Sequence, residues 1–344
     1  MDLGFGLITC QRVPGERRTD EELYRQAIEL AVLADQLGIR SVWVSEHHFV
    51  DDGYLPALLP LCAAIAARTE RVTIGTGLLL APLHEPVRLA EDAAVVDLLS
   101  GGRLILGLGL GWRAEELAAL RIPTGERGQL LEDTVVTLRQ AWAGQPVEGG
   151  RLVRYPQVLV TPRPARPGGP PLWIGAMAEP AVRRAGRIGD GLMATEVTPG
   201  GLARQLGWAL AARRAAGRQG QPFTASVHVP VFVWEGPDAF DRVLPHHHYV
   251  AWKYGEMEHR RYGLGGRRAL PPPPTAEELG GLRDTILAGP PEQVAEGIQS
   301  FADRAGRPLH FIARAYWPGM DPGVQRETLR LLGERVLPLL RGSR

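Results

Sequence analysis

RVTIGTGLLLAPLHEPVRLAEDAAVVDLLSGGRLILGLGLGW, residues 71–112, holds the pattern that decides the fold. Val72 to Leu80 is an apolar run with β-branched residues and reads as a strand. Pro86 to Leu99 follows with apolar residues at helical spacing, and Arg103 to Leu108 reads as the next strand. A strand, a helix and a strand in so short a stretch form one right-handed parallel crossover. The alternation continues on both sides. Upstream, Leu3 to Ile8 is expected as a first strand. A helix begins at the capping-box sequence Thr19-Asp20-Glu21-Glu22 and stops near Gly38; Ser41 to Ser45 is a second strand, followed by a helix from Pro56 to Arg68. Downstream, helix Glu126 to Ala143 precedes strands Leu172 to Ala176 and Gly191 to Thr195, with helix Pro180 to Arg187 between them. Thr224 to Trp234 and Leu309 to Tyr316 complete eight strands, and Gln325 to Leu340 closes the chain as a helix. Eight strand–helix units predict an α/β fold of the TIM (β/α)8 barrel type. An open doubly wound sheet would carry a Gly-rich loop after its first strand, where this chain has Ile8-Thr9-Cys10-Gln11.

The chain of 344 residues exceeds the roughly 250 of a simple barrel, so the surplus is expected as insertions within a single domain, 1–344. One is Gln145 to Pro171. The other, Glu235 to Gly289, follows strand seven and is expected to lie over the barrel mouth as a lid with some helix of its own. It contains His246-His247-His248, an aromatic run through Tyr249, Trp252 and Tyr254, the basic Arg260 to Arg268, and prolines 271–274. Composition narrows the function. With 39 basic and 38 acidic side chains, the net charge of +1 gives no bulk attraction to nucleic acid or an anionic membrane. No apolar stretch is long enough to cross a bilayer, and two cysteines, Cys10 and Cys62, are too few for a disulfide scaffold. A cytoplasmic protein acting on a small molecule is the expectation. Lys253 is the sole lysine and asparagine is absent, so the abundance of arginine reflects composition and does not signal phosphate binding.

Chemistry in such a barrel sits at the C-terminal ends of the strands. Strand two ends in Ser45-Glu46-His47-His48-Phe49, three ionisable groups in succession. His47 and Glu46 are the catalytic candidates, because a histidine at the mouth can act as acid, base or hydrogen-bond donor near neutrality. Neighbouring side chains point to opposite faces of a strand, so His47 and His48 do not form a joint metal site, and no metal is expected. Gly107-Leu108-Gly109-Leu110-Gly111-Trp112 ends strand four. Its glycine spacing fails the dinucleotide fingerprint but lets the backbone approach a flat ring closely. His48, His246, Trp252 and Trp317 are expected around the substrate or in its lid, and solvated polar surface is the simplest reading of the 246–248 histidine run.

Val42 to Leu117 resembles the bacterial-luciferase superfamily of flavin-dependent monooxygenases. The resemblance is carried by Trp43, Glu46-His47-His48-Phe49, Gly75-Thr76-Gly77, His84 with Pro86-Val87-Arg88, Glu91-Asp92, Asp97, Ser100 and Gly102-Arg103. Pro171 to Ala176 and Gly189-Asp190-Gly191 extend it over most of the barrel. The resemblance implies a barrel that binds reduced FMN, or alternatively coenzyme F-420, at the strand ends, with His47 beside the flavin. It places Thr76 and Gly77 by the ring, and it puts Gly109, Leu110, Gly111 and Trp112 and then Gly175, Ala176, Met177 and Ala178 along the cofactor. Leu110 stands where luciferase carries a phosphate-binding arginine, and Met177-Ala178-Glu179 stands where hydroxyl side chains would hold the phosphate. Backbone N–H groups at the next helix start, with charge from Arg113, Arg127 or Arg183, are the substitutes. Arg88, Asp92 and Arg103 are expected to be structural. The implied function is the oxygenase half of a two-component monooxygenase, partnered by a separate NAD(P)H:flavin reductase. A deazaflavin-dependent reductase or dehydrogenase is the alternative enzyme, and a flavin-binding protein without turnover is the alternative of another class. The family also implies a homodimer through helices two and three, where Leu55 to Ala67 is unusually apolar.

Overall fold

Eight parallel strands close on themselves in the computed structural model, which describes residues 1–195, 197–258 and 269–342. They are β1 (Asp2–Ile8), β2 (Ser41–Val44), β3 (Thr73–Thr76), β4 (Leu104–Gly109), β5 (Leu172–Ala176), β6 (Gly191–Thr195), β7 (Thr224–Val233) and β8 (Leu309–Arg314). Each strand pairs with its neighbours in chain order, and β8 pairs with β1 (Leu3 beside Phe311, Phe5 beside Ala313), which shuts the barrel. The expected TIM barrel is the fold.

Strand alternation sorts the side chains into two cores. Val42, Val44, Ile74, Leu104, Leu106, Leu108, Val227, Val229 and Phe311 face outward and join the apolar faces of the surrounding helices. Leu7, Trp43, Ile105, Trp173, Met193 and Ile312 face inward and fill the barrel. Two tryptophans fit inside because glycines face them. A Cβ on Gly75 would overlap the Trp43 ring, one on Gly6 would lie 2.8 Å from the Trp43 Cβ, and one on Gly191 would lie 2.7 Å from Trp173. Trp43 and Trp173 stack with centroids 5.2 Å apart, and Trp43 donates to Ser41 Oγ at 2.7 Å. The bottom of the barrel is therefore solid, and any cavity must open at the strand C-termini.

The helix after β1 spans Asp20–Gln36 with both bonds of the Thr19–Glu22 capping box in place. Helices Leu58–Ala66, Pro86–Ser100, Arg127–Trp142 and Glu179–Ile188 lie where periodicity puts them. Helices Pro199–Ala215 and Pro291–Ala305 lie outside the expected set. Each carries proline at its first turn, where the missing N–H costs nothing and the fixed φ favours a helix, so a residue that reads as a loop marker starts an element. The third strand is shorter than its apolar run: it stops at Thr76, passes the cis Gly77–Leu78 peptide, and resumes pairing with β4 at Leu79–Leu80. The terminal helix begins earlier than expected, at Pro322, and its turns at Leu332–Val336 are π-helical. Arg103 is structural as expected, donating to the carbonyls of Ala66, Thr69 and Val72, whereas Arg88 and Asp92 are exposed on their own helix.

Both insertions carry regular structure among their described residues. Within 145–171, Val147–Gly149 and Arg154–Val158 form a hairpin, held to the barrel helix by Asp133, which accepts the N–H groups of Arg151, Leu152 and Val153. Within 235–289, helix Ala239–Glu258 and helix Ala276–Asp284 lead to Leu287–Gly289, which pairs with β7. The basic stretch 260–268 lies outside the described residues.

Candidate active site

At the C-terminal ends of the strands lies a cavity of about 580 Å³ to which all eight contribute. Leu7 comes from β1, Ser45, Glu46 and His47 from the end of β2, Gly77 and Leu78 from β3, and Gly109 to Trp112 from β4. Gly175 to Met177 extend β5, and Thr195, His228 and Arg314 come from β6, β7 and β8. Tyr254 and Gly255 close it from helix Ala239–Glu258. The floor is apolar and glycine-rich: Leu78 lies against Gly109 and Gly175, where any Cβ would displace it.

His47 is 5% exposed, and its Nδ1 bonds Glu116 Oε1 at 2.8 Å. A carboxylate on Nδ1 fixes the ring and leaves Nε2 as the working nitrogen. The same Glu116 oxygen accepts the backbone N–H of His48 at 2.8 Å, so one carboxylate sets both the ring and the loop that carries it. The ring meets Tyr54, Trp112 and Tyr254 edge-on, with centroids 4.9, 5.8 and 5.6 Å away. Tyr54 donates to Ser45 Oγ at 3.1 Å and bonds the Tyr254 hydroxyl at 2.9 Å, tying the covering helix to the β2 end. Full burial pushes the Tyr54 hydroxyl well above the ordinary tyrosine range, so it stays protonated. Beneath it, Lys253 forms a buried ion pair with Asp52, and its ammonium lies 4.6 Å from the Tyr54 ring centroid. Burial pulls that ammonium down to about 8 against the attraction of Asp52. The chain's single lysine thus clamps the covering helix to the loop after β2.

Glu46 accepts from His48 Nε2 at 2.6 Å, His84 Nε2 at 2.8 Å and the Leu80 N–H at 2.7 Å. Burial works against its charge, but these donors outweigh burial and hold the carboxyl at about 2. Fully ionised and fully bonded, it holds the segment after β3 in place and is no proton shuttle near neutrality. Burial likewise disfavours the charged form of His48, yet its bond to Glu46 raises its pKa above the ordinary histidine value.

Several sequence expectations change. His48 lies on the opposite side of the strand end from His47, as alternation requires, and does not line the cavity. Thr76 is wholly buried and spends its hydroxyl on the Gly107 carbonyl at 2.8 Å, leaving Gly77 to line the cavity without it. Ala178 is the N-cap of helix Glu179–Ile188, and Ala181, one turn further, faces the cavity instead. His246 bonds the Pro318 carbonyl at 2.9 Å. Trp317 is buried, donates to the Val231 carbonyl at 3.2 Å and packs edge-on against His247. Trp252 stands beside Tyr249. None of these three lines the cavity; on helix Ala239–Glu258 it is Tyr254 that does. The histidine run is not solvated surface throughout: His247 is buried, bonding the Leu282 carbonyl and the Thr285 hydroxyl, and burial takes it down to about 4. Arg113 is buried under the β2 end, donating to the His48 carbonyl at 2.6 Å, and Arg183 pairs with Glu179 on the surface. Arg127 alone of the three candidate arginines lines the cavity, with Nη1 on the Gly111 carbonyl at 2.9 Å.

Glu116, Tyr54, Thr195, His228 and Arg314 escaped the sequence reading. Two carried a signal: His228 interrupts the apolar strand Val227-His228-Val229, and Glu116 opens a short helix just after the strand-four glycines. Among the described residues, no group of three or more His, Cys, Asp or Glu is placed to hold a metal ion, and no helix is long and apolar enough to cross a membrane.

The family whose description is luciferase-like monooxygenase matches residues 3–307. An F420-dependent glucose-6-phosphate dehydrogenase of Nakamurella multipartita is 30% identical over 338 residues, 91% of each chain. The oxygenase component of a flavin-dependent trigonelline monooxygenase of Acinetobacter baylyi is 29% identical over 174 residues, 50% of this chain and 48% of that one. The chain thus spans about half the length of that relative. Among solved structures, monooxygenase RslO1 from Streptomyces bottropensis superposes with a TM-score of 0.79 at 26% identity, covering 98% of this chain and 99% of its own.

Proposed function

The chain belongs to the luciferase-like monooxygenase family, and from that premise we propose that it is the oxygenase component of a two-component system, using reduced FMN and O2 to oxygenate a small organic substrate. The observation that carries this reading is His47, oriented by Glu116, at an apolar cavity roofed by Trp112 and Tyr254. The residues fit a flavin: a flat floor of glycines and aliphatic side chains for the ring, and a guanidinium and a helix start toward its phosphate. When bound, reduced FMN supplies the electrons that activate oxygen. Gly109, Gly111, Gly175 and Ala176 would let the backbone lie close to the ring, and Leu78 would support it. Arg127 and the N–H groups at the start of helix Glu179–Ile188 would hold the phosphate in place of the missing hydroxyl side chains. His47 would hold or move a proton at Nε2, with Glu116 as its positioning residue and Glu46 fixing the loop. Trp112, Met177 and Tyr254 would exclude water from the reacting atoms, with helix Ala239–Glu258 as the lid. A separate NAD(P)H:flavin reductase would deliver the cofactor. Val95, Leu98 and Leu99, exposed on helix Pro86–Ser100, are the apolar residues a homodimer would cover. Two unpaired buried cysteines suit a cytoplasmic setting.

Identity of 30% across 91% of the F420-dependent relative favours a second reading, hydride transfer to or from a deazaflavin. The exposed cavity residues Trp112 and Met177 are apolar and offer little to that coenzyme's polyanionic tail. Anaerobic titration with reduced FMN and reduced F-420, monitored by protein fluorescence, decides between them. Tighter binding of FMN, with a His47→Ala variant that keeps binding but loses oxygen-dependent turnover, is expected. Tighter binding of F-420 rejects the oxygenase reading.

A further inference from the structure

The β6–β8 wall of the cavity is built for something other than a neutral apolar substrate. Met193 and Ile312 face the barrel interior, so alternation turns Thr195 and Arg314, two residues further along β6 and β8, inward at the mouth. On β7, Val227 and Val229 face the helices, which turns His228 inward as well. His228 pairs in register with Thr195 on one side and Ile312 on the other, and Arg314 pairs with Gly6 and Pro230 one step higher. Three adjacent strands therefore present three polar side chains to the same space.

Two of them have no hydrogen-bond or ion-pair partner among the described residues. Among the described residues, no hydrogen bond or ion pair reaches the Arg314 guanidinium, whose one ring neighbour is Tyr254, at 5.6 Å from the centroid. His228 Nδ1 is buried with no hydrogen-bond partner. Burial, with Arg314 beside it, takes His228 down to about 3, so it offers a neutral hydrogen bond and Arg314 supplies the charge. The cavity carboxylate of Glu46, by contrast, is held by His48, His84 and Leu80 and is not the partner of either. A guanidinium with no anionic partner among the described residues, set in an open cavity lined mostly by apolar groups, is positioned to take an anion from a ligand.

We propose that Arg314 and His228 form an oxyanion-binding end of the cavity, and that the substrate is a small organic acid whose carboxylate docks there. The planar fork of arginine matches a carboxylate with two parallel bonds, and the histidine adds a third contact. β8 is separated from β2 by β1 alone, and Arg314 and the His47 ring each lie 5.6 Å from the Tyr254 ring centroid, so a substrate anchored on this wall lies within reach of His47. Calling the acid a substrate rests on the oxygenase reading; the anion site itself rests on the geometry alone.

Calorimetric titration of the full-length protein with matched pairs, benzoate with benzamide and octanoate with octanamide, tests it. Wild type is expected to bind at least one carboxylate roughly tenfold more tightly than its amide. Arg314→Gln should erase that preference and Arg314→Lys should keep part of it, while anaerobic affinity for reduced FMN changes less than about threefold in either variant. Equal binding of acid and amide across both pairs by wild type overturns the proposal. So does an Arg314→Gln variant that loses reduced FMN as severely as it loses the acids, since Arg314 would then be a cofactor group. A wild type that prefers the acids but binds no reduced FMN upholds the anion site and rejects the oxygenase reading.

Discussion

Replacing Glu46 by glutamine removes one charge from a carboxylate that is 2% exposed and leaves its shape intact. Its donors, His48, His84 and the Leu80 N–H, hold the carboxyl at about 2 against an ordinary value of 4.5. That depression corresponds to about 3 kcal/mol favouring the ionised form in the folded protein. Because the folded value lies below the unfolded one, this stability is fully present above pH 4.5 and is lost as the pH falls toward 2. Glutamine mimics the protonated acid, so Glu46→Gln should cost about 3 kcal/mol at pH 6 and only about 1 kcal/mol at pH 3, where much of the wild-type advantage has gone. At pH 6 His48, with its raised pKa, still favours its charged form, so both ends of that bond are defined. Urea unfolding followed by tryptophan fluorescence at the two pH values measures the gap. A cost below about 1 kcal/mol at pH 6, or a gap that does not shrink on acidification, would refute the assignment of Glu46 as an ionised hub.

Glu116→Gln, which weakens the hold on His47 Nδ1, should lower flavin-dependent turnover roughly 10- to 100-fold while leaving reduced-FMN affinity within about twofold; anaerobic titration and steady-state rates separate the two. Gly75→Ala forces a methyl into the Trp43 ring and should destabilise by about 1–3 kcal/mol or more, read as a lower urea midpoint at unchanged slope. Lys253→Met removes the ammonium from beside the buried Asp52 and should cost about 3 kcal/mol or more, part of it restored by adding Asp52→Asn; a double variant as unstable as the single one would contradict the clamp. Tyr254→Ala opens the roof beside His47, and the ratio of oxygenated product to reduced flavin consumed should fall even where flavin binding holds.

The order of the barrel, its strand positions and the presence of His47 at its mouth were legible in the sequence because they follow from local regularities. Alternating apolar runs fix strands, a Thr19–Glu22 box fixes a helix start, and a polar cluster at the end of an apolar strand marks the mouth. Strand alternation even separates His47 from His48, although their opposite roles, one facing the cavity and one bonded to Glu46, needed the fold. What remained hidden depends on distance along the chain. Glu116 lies 69 residues from His47 and Tyr254 lies 200 from Tyr54, and nothing local in either segment announces the partner. The lid residue facing the site could not be chosen among Trp252, Tyr254 and the histidines, because a helix rotation decides which side looks inward. Arg314 was lost among 38 arginines, most of which belong to the surface. Its significance comes from having no hydrogen-bond or ion-pair partner among the described residues in a cavity assembled from all eight strands, a property that exists only once the barrel has closed.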